Sequence, residues 1–493
     1  MSTNNIIDLF LNPKSVAVIG ASKNPLKGGH RIIDNLITNN FRGKIYPINP
    51  TSEGELFGLK FRKSVLDIEE DVDLAVFYVP NRKIPRILED CVHKKIKGAI
   101  IEASGFEEVG EKGLELKDQI LKITDNFSKI RIMGPNCMGL TRIDGDSDAE
   151  DTEKGGLFTS FAVFYKYKRG NIAVLSQSGM LNGGFLMYLM EKYPDLGIRY
   201  SCSIGNKMDL CENEFLEYFL EDPTVNVIAI YLESFKEPRK FIELCRKAKE
   251  KSDKTIILVK GGISIQGQKA TSSHTGALAE NSQLINAIIK QAGLIQAKSF
   301  HELFQFAHTF SMMYNESKSL PKQGNISLIT GSGGAGTIVA DITAEYGLKF
   351  PNFSDTAYNR LLEIFPEWMP PNRFALIDFW PAMEKAMMNN INPGDIMKNV
   401  YEILIKDDNI EGILQMMFCS KRWYSTNYKQ LVKTLNKGSK PVFFWLIGEV
   451  DEVERVSRLM GEYNIPNFPS LEDMIKNFWI LVQESKNKNK SYL

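Results

Sequence analysis

The sequence predicts an α/β protein built from three doubly wound parallel-sheet domains, and two observations carry that prediction. Three stretches open alike: "KSVAVIGASKN" from Lys14, "GNIAVLSQSGM" from Gly170 and "GNISLITGSGGAG" from Gly324, at intervals of about 155 residues. Each is a short apolar run rich in β-branched residues, then a loop of Gly, Ser and Ala, then a helix-like pattern, which is how a buried strand turns into a helix. Further apolar runs alternate with helical spacing between them, as parallel sheets wrapped by helices require.

Taken in chain order, "KIYPINP" (44–50), "DLAVFYVP" (73–80) and "GAIIEASG" (98–105) follow the first opening as buried strands, with helical spacing in "NRKIPRILEDCVHKKI" between the last two. After the second opening come "VNVIAIYLES" (225–234) and "KTIILVKGG" (254–262), and after the third "GILQMMF" (412–418) and "PVFFWLIGE" (441–449). The acidic, apolar-poor "DGDSDAEDTEKGG" (144–156) reads as the first linker, "NESKSLPKQGN" (315–325) as the second, and "ESKNKNKSYL" as a frayed end. The expected domains are 1–143, 157–316 and 322–493.

A length of 493 residues suits three domains of ordinary size. Lys plus Arg and Asp plus Glu both total 60, so no basic field draws nucleic acid or an anionic membrane, and any anion site must be local. Six scattered cysteines, with no CxxC pair and no histidine cluster at ligand spacing, indicate a reducing compartment and no metal site. The start "MSTNNIIDLFLNPKS" lacks a basic n-region, and no run approaches the ~18 apolar residues of a membrane span. The expected location is cytoplasmic.

"GASKNPLKGG" is not G-x-G-x-x-G, and the next strand ends in Asn49 and Pro50 without the carboxylate that grips an NAD ribose. A helix N-terminus beside Lys23, Lys27 and Arg31 still suits a phosphate-bearing nucleotide such as coenzyme A. "GSGGAGT" (331–337) has P-loop spacing but Thr337 where the lysine belongs; it and "SQSGM" (176–180) remain helix openings able to cradle one phosphoryl group, or simply close strand–helix packing.

The most telling residue is His274 in "SSHTGA". Imidazole can act as base, metal ligand or nucleophile toward phosphorus. Metal ligation lacks companions, and no G-x-S-x-G elbow supports hydrolase chemistry. Small neighbours that let phosphate oxygens and backbone come close, on a loop expected to move, favour phosphoryl transfer.

The segment "KGGISIQGQKATSSHTGALAE" resembles the phosphohistidine region of the NDP-forming acyl-CoA synthetases, the superfamily that includes succinyl-CoA synthetase and ADP-forming acetyl-CoA synthetase. "VAVIGAS", "IYPINP", "FYVP", "ASGFEEVG", "GPNCMGL" (134–140), "LSQSGM", "SIGNKMD" (203–209) and "YLESF" (231–235) fall in the expected order, over residues 8–345 and more weakly to about 480. The resemblance implies a Rossmann-like CoA-binding domain followed by two flavodoxin-like CoA-ligase domains. It implies that Gly20, Ala21, Ser22, Lys27, Asn49, Pro50, Val79, Pro80, Ser104, Gly105, Asn136 and Cys137 line the coenzyme A site.

It implies further that an acyl-CoA and phosphate give an acyl phosphate and CoA, that His274 takes the phosphoryl group, and that ADP receives it. Glu233 would fix the imidazole, while Ser178 and Gly179, with Gly333 and Gly334, would hold the phosphate. The family's N-P-x-D stretch is here "FALIDFWPA", which keeps only Asp378. Nothing in the chain resembles an ATP-grasp module, so ADP/ATP with Mg²⁺ is expected on a partner β-type subunit of a hetero-oligomer. Two alternatives stand beside this reading: a CoA-dependent acyl or phosphoryl transferase acting without nucleotide, and a non-catalytic CoA-binding regulatory protein.

Overall fold

In the computed structural model, described for residues 3–127, 130–150, 155–162, 164–275, 282–421 and 427–489, the chain builds three sheets and a two-stranded hairpin. Side chains 3–5, 126–127 and 272–275 lie outside that description. Contacts divide the chain into a body of residues 1–307, holding the first two sheets, and a body of residues 308–491, holding the third.

The first sheet takes β1 (Ser15–Ile19), β2 (Lys44–Ile48), β5 (Leu74–Phe77), β6 (Gly98–Ile101) and β7 (Arg131–Met133), with a hairpin of β3 (Glu55–Leu56) and β4 (Leu59–Lys60) beside it. Its strands are parallel in the order β2-β1-β5-β6-β7. β1, β5 and β6 are buried at every position, which is why they read as unbroken apolar runs rather than alternating ones. Helices α1 (Thr3–Leu11), α2 (Gly28–Thr38), α3 (Ile84–His93) and α4 (Glu111–Phe127) complete it.

The second sheet is mixed. Five strands, β10 (Lys168–Ser176), β11 (Gly197–Ser203), β12 (Val227–Leu232), β13 (Thr255–Lys260) and β14 (Ile295–Gln296), are parallel, whereas β8 (Leu140–Ile143) and β9 (Gly156–Phe158) add an antiparallel edge next to β11. The chain thus leaves the first sheet at Met133 and enters the second at Leu140, a few residues before the expected boundary at 143. The acidic stretch between β8 and β9 is fastened as well as linking. Asp144 accepts from Arg142 and Arg199, and Asp146 accepts from the Arg169 N–H. Helices α5 (Leu186–Lys192), α6 (Glu212–Glu221), α7 (Pro238–Lys251), α8 (Ile265–Thr275) and α9 (Ser282–Ala292) follow, and α10 (Phe300–Asn315) carries the chain past the body boundary.

The third sheet, order β16-β15-β17-β18-β19, is again parallel: β15 (Ile326–Thr330), β16 (Leu376–Asp378), β17 (Gly412–Cys419), β18 (Val442–Gly448) and β19 (Asn467–Phe468). Helices α11 (Gly333–Glu345), α12 (Asp355–Ile364), α13 (Trp380–Met388), α14 (Pro393–Lys406), α15 (Tyr428–Leu435), α16 (Val450–Glu462) and α17 (Leu471–Lys488) surround it. The tail expected to fray is helical through Lys488, with Glu484 and Ser485 buried, because Phe478, Ile480, Leu481 and Val482 anchor the last turns of α17.

Counting only the parallel strands of each sheet, all three share one spatial order: second, first, third, fourth, fifth. The order reverses between β1 and β5, between β10 and β12, and between β15 and β17. Open α/β sheets bind ligands in the crevice beyond the strand ends at such a reversal.

Candidate active site

The second crevice is the most elaborately built. β10 ends at Ser176, and the Ser176 hydroxyl donates to the Ser178 carbonyl at 2.8 Å while accepting from the Ser178 N–H at 3.0 Å. This clamp turns the chain so that a helix begins at Gly179 and passes through a π-helical turn, Leu181–Phe185. Glycines at positions 179 and 183 leave room for Met138, since a Cβ would lie 2.9 Å from Met138 Cγ at the first and 2.5 Å from Met138 Cε at the second. "SQSGM" is thereby pressed against "GPNCMGL".

Across the reversal, Glu233 follows β12 and is buried. Its carboxylate accepts from the Tyr231 hydroxyl at 3.1 Å, its N–H donates to Gln177 Oε1 at 2.9 Å, and its carbonyl accepts from Lys260 Nζ at 2.7 Å. Burial first, then the adjacent Glu233 carboxylate, pushes the Tyr231 phenol well above its ordinary range, so it remains a donor. The neighbouring "SIGNKMD" loop is tied to the same place: Lys207 Nζ bonds Glu212 at 3.0 Å and the Ser234 carbonyl at 2.6 Å, and Lys207 and Glu212 are both buried.

His274 lies in the last turn of α8, with its side chain outside the described set. The sequence places it on a loop; the backbone remains helical through Thr275, started by Ser264, whose hydroxyl accepts from the Gly267 N–H. Gly261 and Gly262 bring α8 toward Glu233. A Cβ on Gly261 would sit 3.5 Å from Glu233 Cγ, and one on Gly262 would sit 2.8 Å from the hydroxyl of Thr271, one turn before His274. α8 also meets the short turn Glu107–Val109 of "SGFEEVG".

The residues expected at the coenzyme A site all lie on segments that follow strands of the first sheet. Gly20 ends β1 with a φ of +93°, and a Cβ there would lie 2.1 Å from the Tyr78 carbonyl oxygen. Ala21 and Ser22 follow it. The Asn49 amide holds the Ala21 carbonyl at 2.7 Å, beside Pro50. Val79 and Pro80 follow β5, Ser104 and Gly105 follow β6, and Lys27 caps α2. The Asn136 N–H donates to the Ala103 carbonyl at 2.9 Å. The Cys137 side chain turns inward instead. Its Sγ donates to the Ile101 carbonyl, and burial pushes the thiol far up, so the side chain is part of the core.

In the third sheet the strand end repeats the clamp of the second. The Thr330 hydroxyl donates to the Ser332 carbonyl and accepts from the Ser332 N–H, both at 3.1 Å, and Ser332 caps α11 through the Ala335 N–H. Gly333 and Gly334 are exposed in the first turn, with Asp378 Oδ2 3.6 Å from where a Gly333 Cβ would be. Gln177, Tyr231, Lys260 and Lys207 are the positioning residues that motif reading missed. Each sits inside or beside a quoted motif, but only the fold shows what it holds.

Comparison with known proteins follows the same division. Residues 14–142 match the model of a CoA binding domain, and residues 169–310 match that of a succinyl-CoA ligase like flavodoxin domain. The α subunit of acetate–CoA ligase [ADP-forming] II from Pyrococcus furiosus is 30% identical over 490 residues, covering 98% of both chains. The chain belongs to the NDP-forming acyl-CoA synthetase family. Within that family it matches α-type subunits over its full length. Acetate–CoA ligase [ADP-forming] II from Archaeoglobus fulgidus is 34% identical over 90% of this chain, which spans 62% of that relative's length. The structure of Ca. Korarchaeum cryptofilum dinucleotide forming acetyl-coenzyme A synthetase 1 in complex with phosphate and ADP covers 98% of each chain at a TM-score of 0.83 and 28% identity.

Proposed function

We propose that the chain is the α-type subunit of an ADP-forming acyl-CoA ligase, in which His274 carries the phosphoryl group between an acyl phosphate and ADP. The observation that carries this reading is Glu233. It is a buried residue whose carboxylate is held by Tyr231 and whose backbone is held by Gln177 and Lys260, and it stands across Gly261 and Gly262 from the helix that bears His274. A carboxylate so held fixes an imidazole's tautomer and steadies the charge that forms when its other nitrogen attacks phosphorus. As the new N–P bond forms, the bond from phosphorus to the acyl oxygen breaks and the carboxylate leaves.

The helix that opens after Ser178, at Gly179, is one candidate cradle for the phosphoryl group, and the helix that opens at Gly333 and Gly334 is another. Coenzyme A supplies the thiol that exchanges with phosphate at the acyl carbon. The first crevice suits it because Gly20 lets the chain turn tightly at the end of β1, Lys27 stands at the N-terminus of α2, and an amide, Asn49, replaces the carboxylate that would select an NAD ribose. ADP and Mg²⁺ belong to an ATP-grasp β-type partner, and the complex works in the cytoplasm. Among the described residues no helix is long and apolar enough to cross a membrane.

The test is labelling of the reconstituted complex from γ-phosphate-labelled ATP. Acid-labile label on the wild-type chain and its loss in His274→Asn supports the assignment. Undiminished label in the variant overturns it, and CoA binding with no label under any condition favours the regulatory alternative.

A further inference from the structure

The turn Glu107–Val109 leads from β6 to α4 in the first sheet, yet it meets α8, which follows a strand of the second. Its flanks are fixed. Glu107 pairs with Lys117 of α4. One oxygen of the Glu108 carboxylate accepts from the Gly105 N–H at 2.6 Å, and the other accepts from the Asn206 side-chain amide at 2.8 Å. Glu108 is thus a staple between the loop that leaves β6 and the loop that leaves β11. Bonds to a charged acceptor are stronger than neutral ones, and Glu108 is half-buried, where water competes less for them.

Both ends of the staple are themselves held. The Gly105 carbonyl accepts from the Asn81 amide at 2.7 Å, and its φ of +93° is one that glycine takes without strain. The Asn206 N–H donates to the Pro135 carbonyl at 2.9 Å, and the next residue, Lys207, reaches the Ser234 carbonyl beside Glu233. Loops at strand ends are ordinarily among the first parts of a fold to open. This one is braced, and its neighbour is the helix that bears His274. The serines and threonines of α8 make it a weak helix in isolation, so a firm neighbour decides where it lies.

We propose that the Glu107–Val109 turn is the rest against which α8 settles for the acyl half of the cycle, and that Glu108 is the positioning residue that sets it. The role in the cycle rests on the ligase reading, whereas the rest itself concerns α8 alone. Amide hydrogen exchange of the full chain, followed by mass spectrometry, tests the rest. In Glu108→Ala the amides of 265–275 should exchange at least tenfold faster, with those of β12 and β13 unchanged. Asn206→Asp sets two carboxylates against each other and should act likewise. Adding Glu108→Gln to it restores a donor to the same bond with its direction reversed, and should return exchange to the wild-type rate.

The role in the cycle is read from discharge of the complex labelled from γ-phosphate-labelled ATP. With ADP added, Glu108→Ala should lose its label at the wild-type rate. With acetate and CoA added, where an acetate oxygen bonds to phosphorus as the N–P bond breaks, the loss should be at least tenfold slower. Unaltered exchange in 265–275, exchange that rises alike across β12 and β13, or failure of the reversed pair to rescue overturns the rest. Equal slowing of both discharges, or of neither, overturns the one-sided role of Glu108. A wild-type complex that takes no label condemns the ligase reading, and the exchange result then decides the rest by itself.

Discussion

Glu233 acts through another residue, and its replacement separates positioning from folding. Glu233→Gln keeps size and the backbone bonds to Gln177 and Lys260 but cannot balance a charged imidazole. Turnover of the complex should drop roughly 10²- to 10⁴-fold with the KM for the acid unchanged, by analogy with carboxylates that orient catalytic histidines. A second carboxyl behaves differently. Glu102 is buried at the end of β6 with no donor to either oxygen among the described residues, and burial holds its pKa well above the ordinary carboxyl value. The folded chain therefore keeps this proton at pH values where the unfolded chain has lost it. The contribution of Glu102 to stability is greatest below the ordinary carboxyl pKa of about 4.3 and falls as pH rises from there toward the folded-state value. Glu102→Gln should raise the melting temperature at pH 8 more than at pH 5. Lys207 and Glu212 make the opposite case: Lys207→Met strands a buried carboxylate at a cost of about 3–5 kcal/mol in denaturant unfolding, and removing both charges restores most of it. His274 and Glu233 were legible in the sequence because their motifs are local. Gln177 and Lys260 were not, since each matters only through a strand that lies next to it after folding.

Among the elements, the strand-to-helix openings were the easiest to anticipate, because a fully buried parallel strand is a continuous apolar run and the glycines after it mark the turn. The hydroxyl that shapes two of those turns was less visible. Ser176→Ala or Thr330→Val leaves the N–H of Ser178 or Ser332 without its acceptor and should cost about 1–3 kcal/mol, together with weaker phosphate retention on the labelled complex. A similar economy ties down the entrance to the third sheet, where the Glu411 carboxylate accepts from the N–H groups of Lys322, Gln323, Gly324 and Asn325. Composition marks that stretch as a linker, and only the fold supplies the acceptor 86 residues away. The antiparallel pair β8 and β9 escaped prediction for a related reason. It is short and flanks a strongly acidic run, so nothing in its periodicity separates it from a loop. α8 escaped because its serines and threonines are poor helix formers whose helicity is set by Ser264 and by packing near Gly262.

On the scale of the molecule, three domains were foreseeable from three openings at even spacing, but the common strand order was not, because order is decided by which buried faces meet. That order explains why the residues expected at the coenzyme A site and those that hold Glu233 each lie around one reversal. A partner that engages the native chain alone must also stabilise it. At a partner concentration 100 times the Kd, the gain is about 2.7 kcal/mol, visible as a concentration-dependent rise in melting temperature that an unrelated ATP-grasp protein should not reproduce. The hand-over from Met133 to Leu140 has a last consequence. Val16 and Val18 of the first sheet share one continuous core with Leu175 and Ile230 of the second, and a bidentate Arg131–Asp209 fork closes the seam beside that short connection. The two sheets are therefore welded, and no hinge between them can shorten the path from whatever the first crevice holds to Glu233. Any displacement that a phosphohistidine would need has to come from the segment that bears it, while the first crevice and Glu233 stay at a constant range from each other.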